Sequence, residues 1–102
     1  MQKAKLILKL NVFNTVPLVD VTPPEAVLLR RIHEKPGNED ALQNIVVTGD
    51  VSVRSADEAQ RLRSRYPKDA FTKAFPGDMP KLPTTFEEVG LEVEGKHEKV
   101  KA

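Results

Sequence analysis

An alternation of apolar and polar side chains near the N-terminus constrains this chain more than any other feature. Lys3, Lys5 and Lys9 hold odd positions, and the even positions carry apolar side chains: Ala4, Leu6, Leu8, Leu10 and Val12. Because successive side chains of a strand point to opposite faces, this period of two predicts a half-buried β-strand over residues 4–12. Its lysine face is of the kind that resists edge-to-edge aggregation. We therefore expect the rest of the chain to pack on a sheet.

A helix-start signal follows this strand. Thr22 is expected at the N-cap, and Glu25 three residues later completes a capping box. The two prolines between them are tolerated, because the amide donors of a first helical turn have no intrahelical partner anyway. The pattern predicts a helix over residues 23–35, which the Pro-Gly pair that follows it ends.

The same signal recurs in the second half of the chain, where Ser55 precedes Glu58 by three positions. This second capping box predicts a helix over residues 56–66. Its apolar stripe consists of Ala59, Leu62 and Tyr66.

The segments between these signals have the character of further strands. Residues 44–53 alternate again, and Gly49-Asp50 predicts either a bulge in one bent strand or a tight turn between two very short ones. Residues 13–21 predict a turn followed by a short extended piece. The expected fold class is therefore α+β, with a small antiparallel sheet of two or three strands packed on two helices.

A chain of 102 residues has room for one domain. Residues 1–66 are expected to form its α+β core domain, and residues 92–102 a charged tail. Between them, residues 67–91 are expected to form an extended aromatic-proline arm with a short helical turn, because four of the eight prolines lie between Pro67 and Thr85. The helical turn is predicted at residues 86–89, capped by one of the two threonines before it.

The arm has more apolar side chains than a free loop usually carries. Two alternatives remain open for them: they fold back and complete the core of the chain itself, or they insert into grooves of neighbouring subunits. The second alternative predicts that the partner-binding residues of the arm are Phe71, Phe75, Met79 and Phe86.

Basic residues concentrate in and after the second helix, where residues 54–73 hold six basic and three acidic side chains. On a helical wheel Arg61 and Arg65 lie on one flank of the apolar stripe and Arg63 on the other, and Asp57 is placed to pair with Arg61. Split flanks are normal for a solvated amphipathic helix, whereas a helix that binds nucleic acid needs its charges on one face. The open alternative is contact with phosphate or an acidic partner through Arg54, Arg61, Arg63 and Arg65.

Catalytic chemistry finds little support in the sequence. The absence of cysteine excludes a disulfide framework and a thiolate zinc site, and His33 and His97 lie too far apart to form a metal motif. There is no glycine-rich phosphate loop and no Gly-x-Ser-x-Gly elbow. His33 falls in the last turn of the first helix, where the helix dipole favours an imidazolium and a structural role. No catalytic residue, metal or cofactor is expected.

Charge and hydropathy restrict the partners. The formal net charge is +1, so no strong global field would steer the chain to nucleic acid or to anionic lipid. No apolar stretch approaches the ~20 residues that a membrane span requires. We therefore expect a protein partner, consider nucleic acid a less favoured one and expect no membrane partner.

Four segments resemble small uncharacterised proteins encoded by tailed bacteriophages: V-T-P-P-E-A-V-L-L-R-R-I-H, R-S-A-D-E-A-Q-R-L-R-S-R-Y, F-P-G and L-P-T-T-F-E-E-V-G. The resemblance covers about residues 21–91, and its motifs mark helix caps and turns rather than a site. It implies a phage origin and carries no functional residues.

These observations favour a non-enzymatic structural or assembly component of a bacteriophage virion, such as a minor capsid, decoration or connector-type protein. It would act through contacts with other virion proteins or with copies of itself, and it would be located in the virion after assembly in the host cytoplasm. The alternative is a small nucleic-acid-binding or host-directed regulatory phage protein.

Overall fold

The computed structural model describes residues 1–77, 80–91 and 93, and this part of the chain forms an α+β fold, as the sequence predicts. One antiparallel sheet contains three strands, which are β1 (Gln2–Asn11), β2 (Asn14–Val21) and β3 (Leu42–Asp50). The helices are α1 (Pro23–His33), α2 (Ser55–Arg65), α3 (Lys68–Ala74) and a 3₁₀ turn at Glu87–Val89.

The strand β1 lies in the centre of the sheet, whose order is β2-β1-β3. Its even residues Ala4, Leu6 and Leu8 are buried and pack in one cluster with Ala26 and Leu29 of α1. The predicted half-buried strand is confirmed, since its lysines take the opposite face. The edges of the sheet are β2 and β3, so the lysine face of β1 does not protect an edge.

Beyond Leu8 the helix layer no longer covers this face of β1. Leu10 and Val12 continue the apolar alternation but are exposed. Val12 and Phe13 form the two-residue turn of the hairpin that joins β1 to β2. Asn11 Oδ1 accepts hydrogen bonds from the backbone amides of Phe13, at 2.9 Å, and of Asn14, at 3.1 Å. The expectation that Leu10 and Val12 share the burial of the residues before them is therefore wrong.

The strand β2 is longer than the short extended piece expected from the sequence. It pairs with β1 so that Leu6 faces Leu18 and Leu8 faces Val16. Near its end Asp20 adopts a positive φ of 54°, and the register shifts there. Alternation in β2 is hidden in the sequence because both of its faces carry apolar residues.

The cap of α1 is as predicted, because Thr22 Oγ1 accepts a hydrogen bond from the amide of Glu25 at 3.4 Å. The helix ends at His33, two residues before the predicted end. Pro36 disfavours helical backbone at the residue before it. The Asn38 side-chain amide donates to the carbonyl of His33 at 2.8 Å and so satisfies the helix end.

The predicted capping box of α2 is wrong. Its N-cap is Arg54 rather than Ser55, and within the described chain no side chain bonds to the backbone at this cap. Glu58, which was expected to close the box, turns towards α1 instead. Between these helices, β3 is one strand, and the register of its pairing with β1 shifts near Gly49. Of the two structures predicted for this segment, the single strand with a bulge is the one observed.

The described residues of the expected arm, 67–77 and 80–91, pack on the body of the chain, which is the first of the two alternatives considered for the arm. On α3, Phe71 and Phe75 lie with ring centroids 5.4 Å apart. They form a second core with Leu28 of α1 and Leu62 of α2, to which Leu82 also belongs. The expected arm therefore contains a helix, α3, that the sequence interpretation did not assign as a full element.

Phe86 completes the sheet core and is fully buried. Its segment is attached to the start of β1, since the amide of Gln2 donates to the carbonyl of Thr84 at 2.8 Å and the Gln2 side chain accepts from the amide of Phe86 at 3.0 Å. A helical turn is present where it is predicted, as the 3₁₀ turn, and Gly90 ends it with a φ of 75°. Its N-cap is Phe86 rather than a threonine, although Thr85 Oγ1 accepts a hydrogen bond from the amide of Glu88.

Two predicted features lie outside the described residues. These are Met79 and, apart from Val93, the charged tail at residues 92–102. Leu91 and Val93 are partly buried against the sheet core. Both cores thus include residues that follow position 66.

The burial of Phe86 predicts a large cost for its removal. We expect Phe86→Ala to lower the free energy of unfolding by about 3–5 kcal/mol, because it removes a ring and leaves a cavity in the sheet core. Urea unfolding followed by circular dichroism measures this change. Phe13→Ala is the matched control. At a protein concentration at which the chain is monomeric it should change stability by less than about 0.5 kcal/mol, because that ring is exposed. Equal effects of the two substitutions would contradict this account of the core.

Candidate functional site

The arginine at the centre of α2 joins two buried carboxylates. Arg61 Nη2 lies 2.7 Å from Glu58 Oε2 and 3.1 Å from Glu25 Oε1, and Arg61 Nε donates to Glu58 Oε1 at 2.8 Å. Glu25 belongs to α1 and Glu58 to α2, and only 4% and 2% of these residues are exposed. The bidentate geometry and the second acceptor make Arg61 the link between the two helices.

Thr22 and Tyr66 complete this arrangement, which we call the ionic cluster: Thr22, Glu25, Glu58, Arg61 and Tyr66. The Tyr66 hydroxyl donates to Glu25 Oε2 at 2.6 Å, and the Thr22 hydroxyl donates to Glu58 Oε2. Thr22 therefore both caps α1 and contacts α2. Both carboxylates receive more than one hydrogen bond, which is what a buried charge requires.

The electrostatics of the cluster favour its charged form. Burial alone would raise the pKa of Glu58, but hydrogen bonds from Arg61 and Thr22 and the charge of Arg61 outweigh it, so this pKa lies below its ordinary range. Hydrogen bonding to Glu58 raises the pKa of Arg61, despite the opposing effect of burial. The pKa of Tyr66 is raised, first by burial and then by its bond to Glu25. Tyr66 thus remains a neutral donor.

The other three predicted arginines also have partners within the chain. Arg54 Nε lies 3.0 Å from Asp57, Arg65 lies 3.8 Å from Glu25, and the Arg63 guanidinium lies 4.8 Å from the Phe71 ring centroid. The predicted placement on two flanks is confirmed, since Arg61 and Arg65 face Glu25 and Arg63 does not. The predicted Asp57–Arg61 pair is wrong, because Arg61 turns to Glu25 and Glu58.

A groove of about 340 Å³ lies beside the cluster and is lined by Lys3, Asp20, Thr22, Val51, Val53, Glu58 and Arg61. The polar side chains of this groove bind one another: Lys3 Nζ is 3.6 Å from Asp20, and Thr22 and Arg61 bind Glu58. The polar side chains of the cluster thus join α1 to α2.

The phenylalanines predicted to bind a partner are in the core instead. Phe71, Phe75 and Phe86 are buried at 1%, 9% and 0% exposure. In this conformation none of them can contact another subunit without leaving the core, which corrects the expectation that they do. The physical reason is that α1, α2 and the sheet leave apolar faces uncovered, which these rings then cover.

The exposed apolar surface lies at the opposite part of the sequence, on the β1–β2 hairpin. We call it the hairpin surface, and it consists of Leu10, Val12, Phe13, Val16 and Val19, which are 41%, 70%, 92%, 37% and 73% exposed. Sequence reasoning missed it, because Val12 and Phe13 were assigned to a buried face and to a turn. The available signal was an aromatic residue in a two-residue turn, a position usually held by Gly, Asn or Asp.

A second groove, of about 410 Å³, lies between the hairpin and the end of α1 and includes Leu10, Val12 and His33 in its wall. Burial, and then the nearby charge of Lys35, lower the pKa of His33. Its position in the last turn of α1 agrees with the prediction.

Among the described residues, no three or more His, Cys, Asp or Glu side chains come together in a way that could hold a metal ion. No helix within residues 1–77, 80–91 and 93 is long and apolar enough to cross a membrane. Comparison with protein-family models, with curated proteins and with solved structures gives no match for this chain.

The ionic cluster predicts that Arg61→Ala is destabilising. Breaking a buried pair by removing one partner costs about 3–5 kcal/mol. Because 39% of the Arg61 side chain is exposed and solvent screens its charge, we expect about 2–3 kcal/mol in urea unfolding. Arg54→Ala is the control, since its pair with Asp57 is largely exposed and should leave the urea midpoint unchanged. An unchanged midpoint for Arg61→Ala would show that the cluster does not stabilise the fold.

The lowered pKa of Glu58 predicts a pH dependence with a definite sign. A carboxyl group whose pKa is lower in the folded state stabilises the protein above its ordinary value of 4.5, and this contribution is lost as the pH falls through the lowered pKa. We expect Glu58→Gln to be less stable than the unmodified chain at pH 7. The difference in stability should shrink as the pH falls below 4.5, because Glu58 becomes protonated as the pH passes through its lowered pKa. A difference that stays constant as the pH falls would contradict the assignment.

Proposed function

We propose that this chain is a non-enzymatic assembly protein that binds another protein through the hairpin surface. The observation that carries this proposal is the exposure of Phe13, which presents nearly all of its ring to solvent at the tip of a paired, two-residue hairpin. A large aromatic side chain held on a regular element is typical of the residues that dominate binding energy at interfaces.

The size of the surface supports the same function. Given the exposed fractions of its five residues, the hairpin surface amounts to on the order of 500 Å² of mostly apolar area. This area is spread over the tip and both faces of the hairpin, since Val16 shares the face of Leu8 and Val19 lies on the other. The largest apolar patch of a soluble monomer is about 300–600 Å² and is often functional. Burying such an area is worth roughly 25 cal/mol per Å² before the costs of association. The hairpin surface is therefore large enough to hold a partner.

Nucleic-acid binding through the arginines, the alternative function, finds less support. Phosphate contacts need basic side chains on a common face that are available to solvent. Arg61 is bound to two carboxylates, Arg54 to Asp57, and Arg63 lies over the Phe71 ring. To bind phosphate, these arginines would have to break their contacts within the chain.

The resemblance to proteins of tailed bacteriophages supports a setting for this assembly function. In this proposal the chain is a minor capsid, decoration or connector-type component of a virion, and its partners are other virion proteins or copies of itself. The mechanism differs from docking by an aromatic arm, since the hairpin surface takes the role that the arm residues were expected to have.

A photoreactive phenylalanine analogue at position 13 tests this function in cells that produce the protein with its natural partners. We expect irradiation to form adducts between position 13 and another protein chain, either a different protein or a second copy. The control carries the analogue at Gln60, an exposed position on α2, and should form few adducts. If position 13 forms no more adducts than position 60, the hairpin surface is not a binding site and the proposal fails.

A further inference from the structure

We propose that the hairpin surface binds a second copy of this chain, by antiparallel pairing of the two β2 strands across a twofold axis. This inference rests on the proposed function and specifies its partner. The pairing would join two sheets of order β2-β1-β3 into one continuous six-stranded sheet with β2 of each copy in the middle.

The edge formed by β2 has the features of a pairing site. An edge strand presents unpaired backbone donors and acceptors, and proteins usually protect it with charged residues, short length, proline or a bulge. β2 has one proline and a bulge near Asp20, which leave the part of the edge before the bulge for pairing. β2 is eight residues long, and Asp20 is its single charged residue. Asp20 lies at the end of the strand, next to Lys3. Pro17 removes one amide donor from the strand, and edge strands tolerate proline.

The other edge of the sheet, β3, differs from β2 in the exposure of its apolar side chains. The apolar residues of β3, which include Ile45, Val46 and Val47, are buried or half-buried. In β2, by contrast, Val16 and Val19 are exposed and continue the exposed tip at Phe13. Among the described residues of the sheet, the edge with exposed apolar side chains is therefore β2 and not β3.

The charges of the chain permit self-association. Sixteen basic and fifteen acidic residues leave a net charge of +1, so two copies repel each other weakly. β2 itself brings one carboxylate from each copy, and Lys3 lies 3.6 Å from it. A partner selected by charge would instead require a patch of one sign along this edge.

The exposed area agrees with the requirement of a stable dimer. A standard interface buries about 800 Å² on each partner, of which about 56–65% is apolar. That apolar part is on the order of 500 Å², which is also the estimated area of the hairpin surface. Pairing of the two β2 strands covers the part of this surface at the hairpin tip and on β2, but not Leu10 of the central strand β1. The two copies therefore supply most of the apolar area of a standard interface.

The register follows from the faces of β2. Directly opposed residues of an antiparallel pair share a face, so the two positions must both be odd or both be even. When Val16 lies on the twofold axis, Phe13 of each copy is opposite Val19 of the other. This register brings together the two most exposed residues of the hairpin surface and covers both of them.

Light scattering across a range of protein concentrations tests the dimer. We expect a mass that rises from one chain to two and then stays constant. Val19→Lys places a charge opposite Phe13 of the other copy and should raise the dimer dissociation constant at least tenfold. Gln60→Lys adds the same charge on α2 and should leave it unchanged. Circular dichroism verifies that both variants are folded.

A cysteine crosslink tests the register, because the natural chain contains no cysteine. Opposed Cβ atoms in such a pair are about 4.5–5.5 Å apart, close to the separation that a disulfide bridges. Val16→Cys should therefore form disulfide-linked dimers under mild oxidation much faster than Gln60→Cys. Equal rates would overturn the register, and a dimer unaffected by Val19→Lys would overturn the interface.

The outcomes separate this inference from the function on which it rests. A chain that remains monomeric at every concentration, while the photoreactive residue at position 13 links to a different protein, overturns self-pairing and leaves the proposed function in place. A monomer whose position 13 links to no protein overturns both.

Discussion

The bond between Arg61 and the carboxylates of Glu25 and Glu58 is the constraint on which the arrangement of the helices depends. A buried carboxylate without partners is costly, so Glu25 and Glu58 fix the position of α2 against α1 once both are out of water. Tyr66 extends this constraint, because it donates to Glu25 and packs against both hydrophobic clusters. The sheet core and the helix core thus meet at the ionic cluster.

This arrangement determines which apolar side chains remain for a partner. With α1 and α2 held together, a groove between them accepts Phe71 and Phe75, while Phe86 covers the end of the sheet core. The C-terminal aromatics are therefore part of the fold. The β1–β2 hairpin extends past the helix layer, and its tip and outer edge are left uncovered. The proposed function is thus located where the described residues leave apolar side chains exposed.

Local patterns in the sequence predicted local structure well. The alternation before Asn11 predicted β1, Thr22 predicted the start of α1, and Gly90 predicted the end of the 3₁₀ turn. Each of these depends on residues a few positions apart. The contact between Glu25 and Arg61 spans 36 positions, and no helical wheel or capping rule relates them.

The candidate site was harder to predict for the same reason. Whether Phe86 is buried depends on the space between the sheet and α1, which its neighbours in sequence do not reveal. The second capping box failed because Glu58 had a stronger partner in Arg61 than the backbone at its own helix start. Phe13 was missed because exposure at a hairpin tip depends on where the helix layer ends.

Fluorine NMR of the chain labelled at its four phenylalanines tests the central claim most directly, since that claim assigns three of them to the core and one to the surface. At a protein concentration low enough to keep the chain monomeric, a paramagnetic solute should broaden the Phe13 resonance and leave those of Phe71, Phe75 and Phe86 sharp. Strong broadening of any of these three would contradict the account, because it would place that ring on the surface.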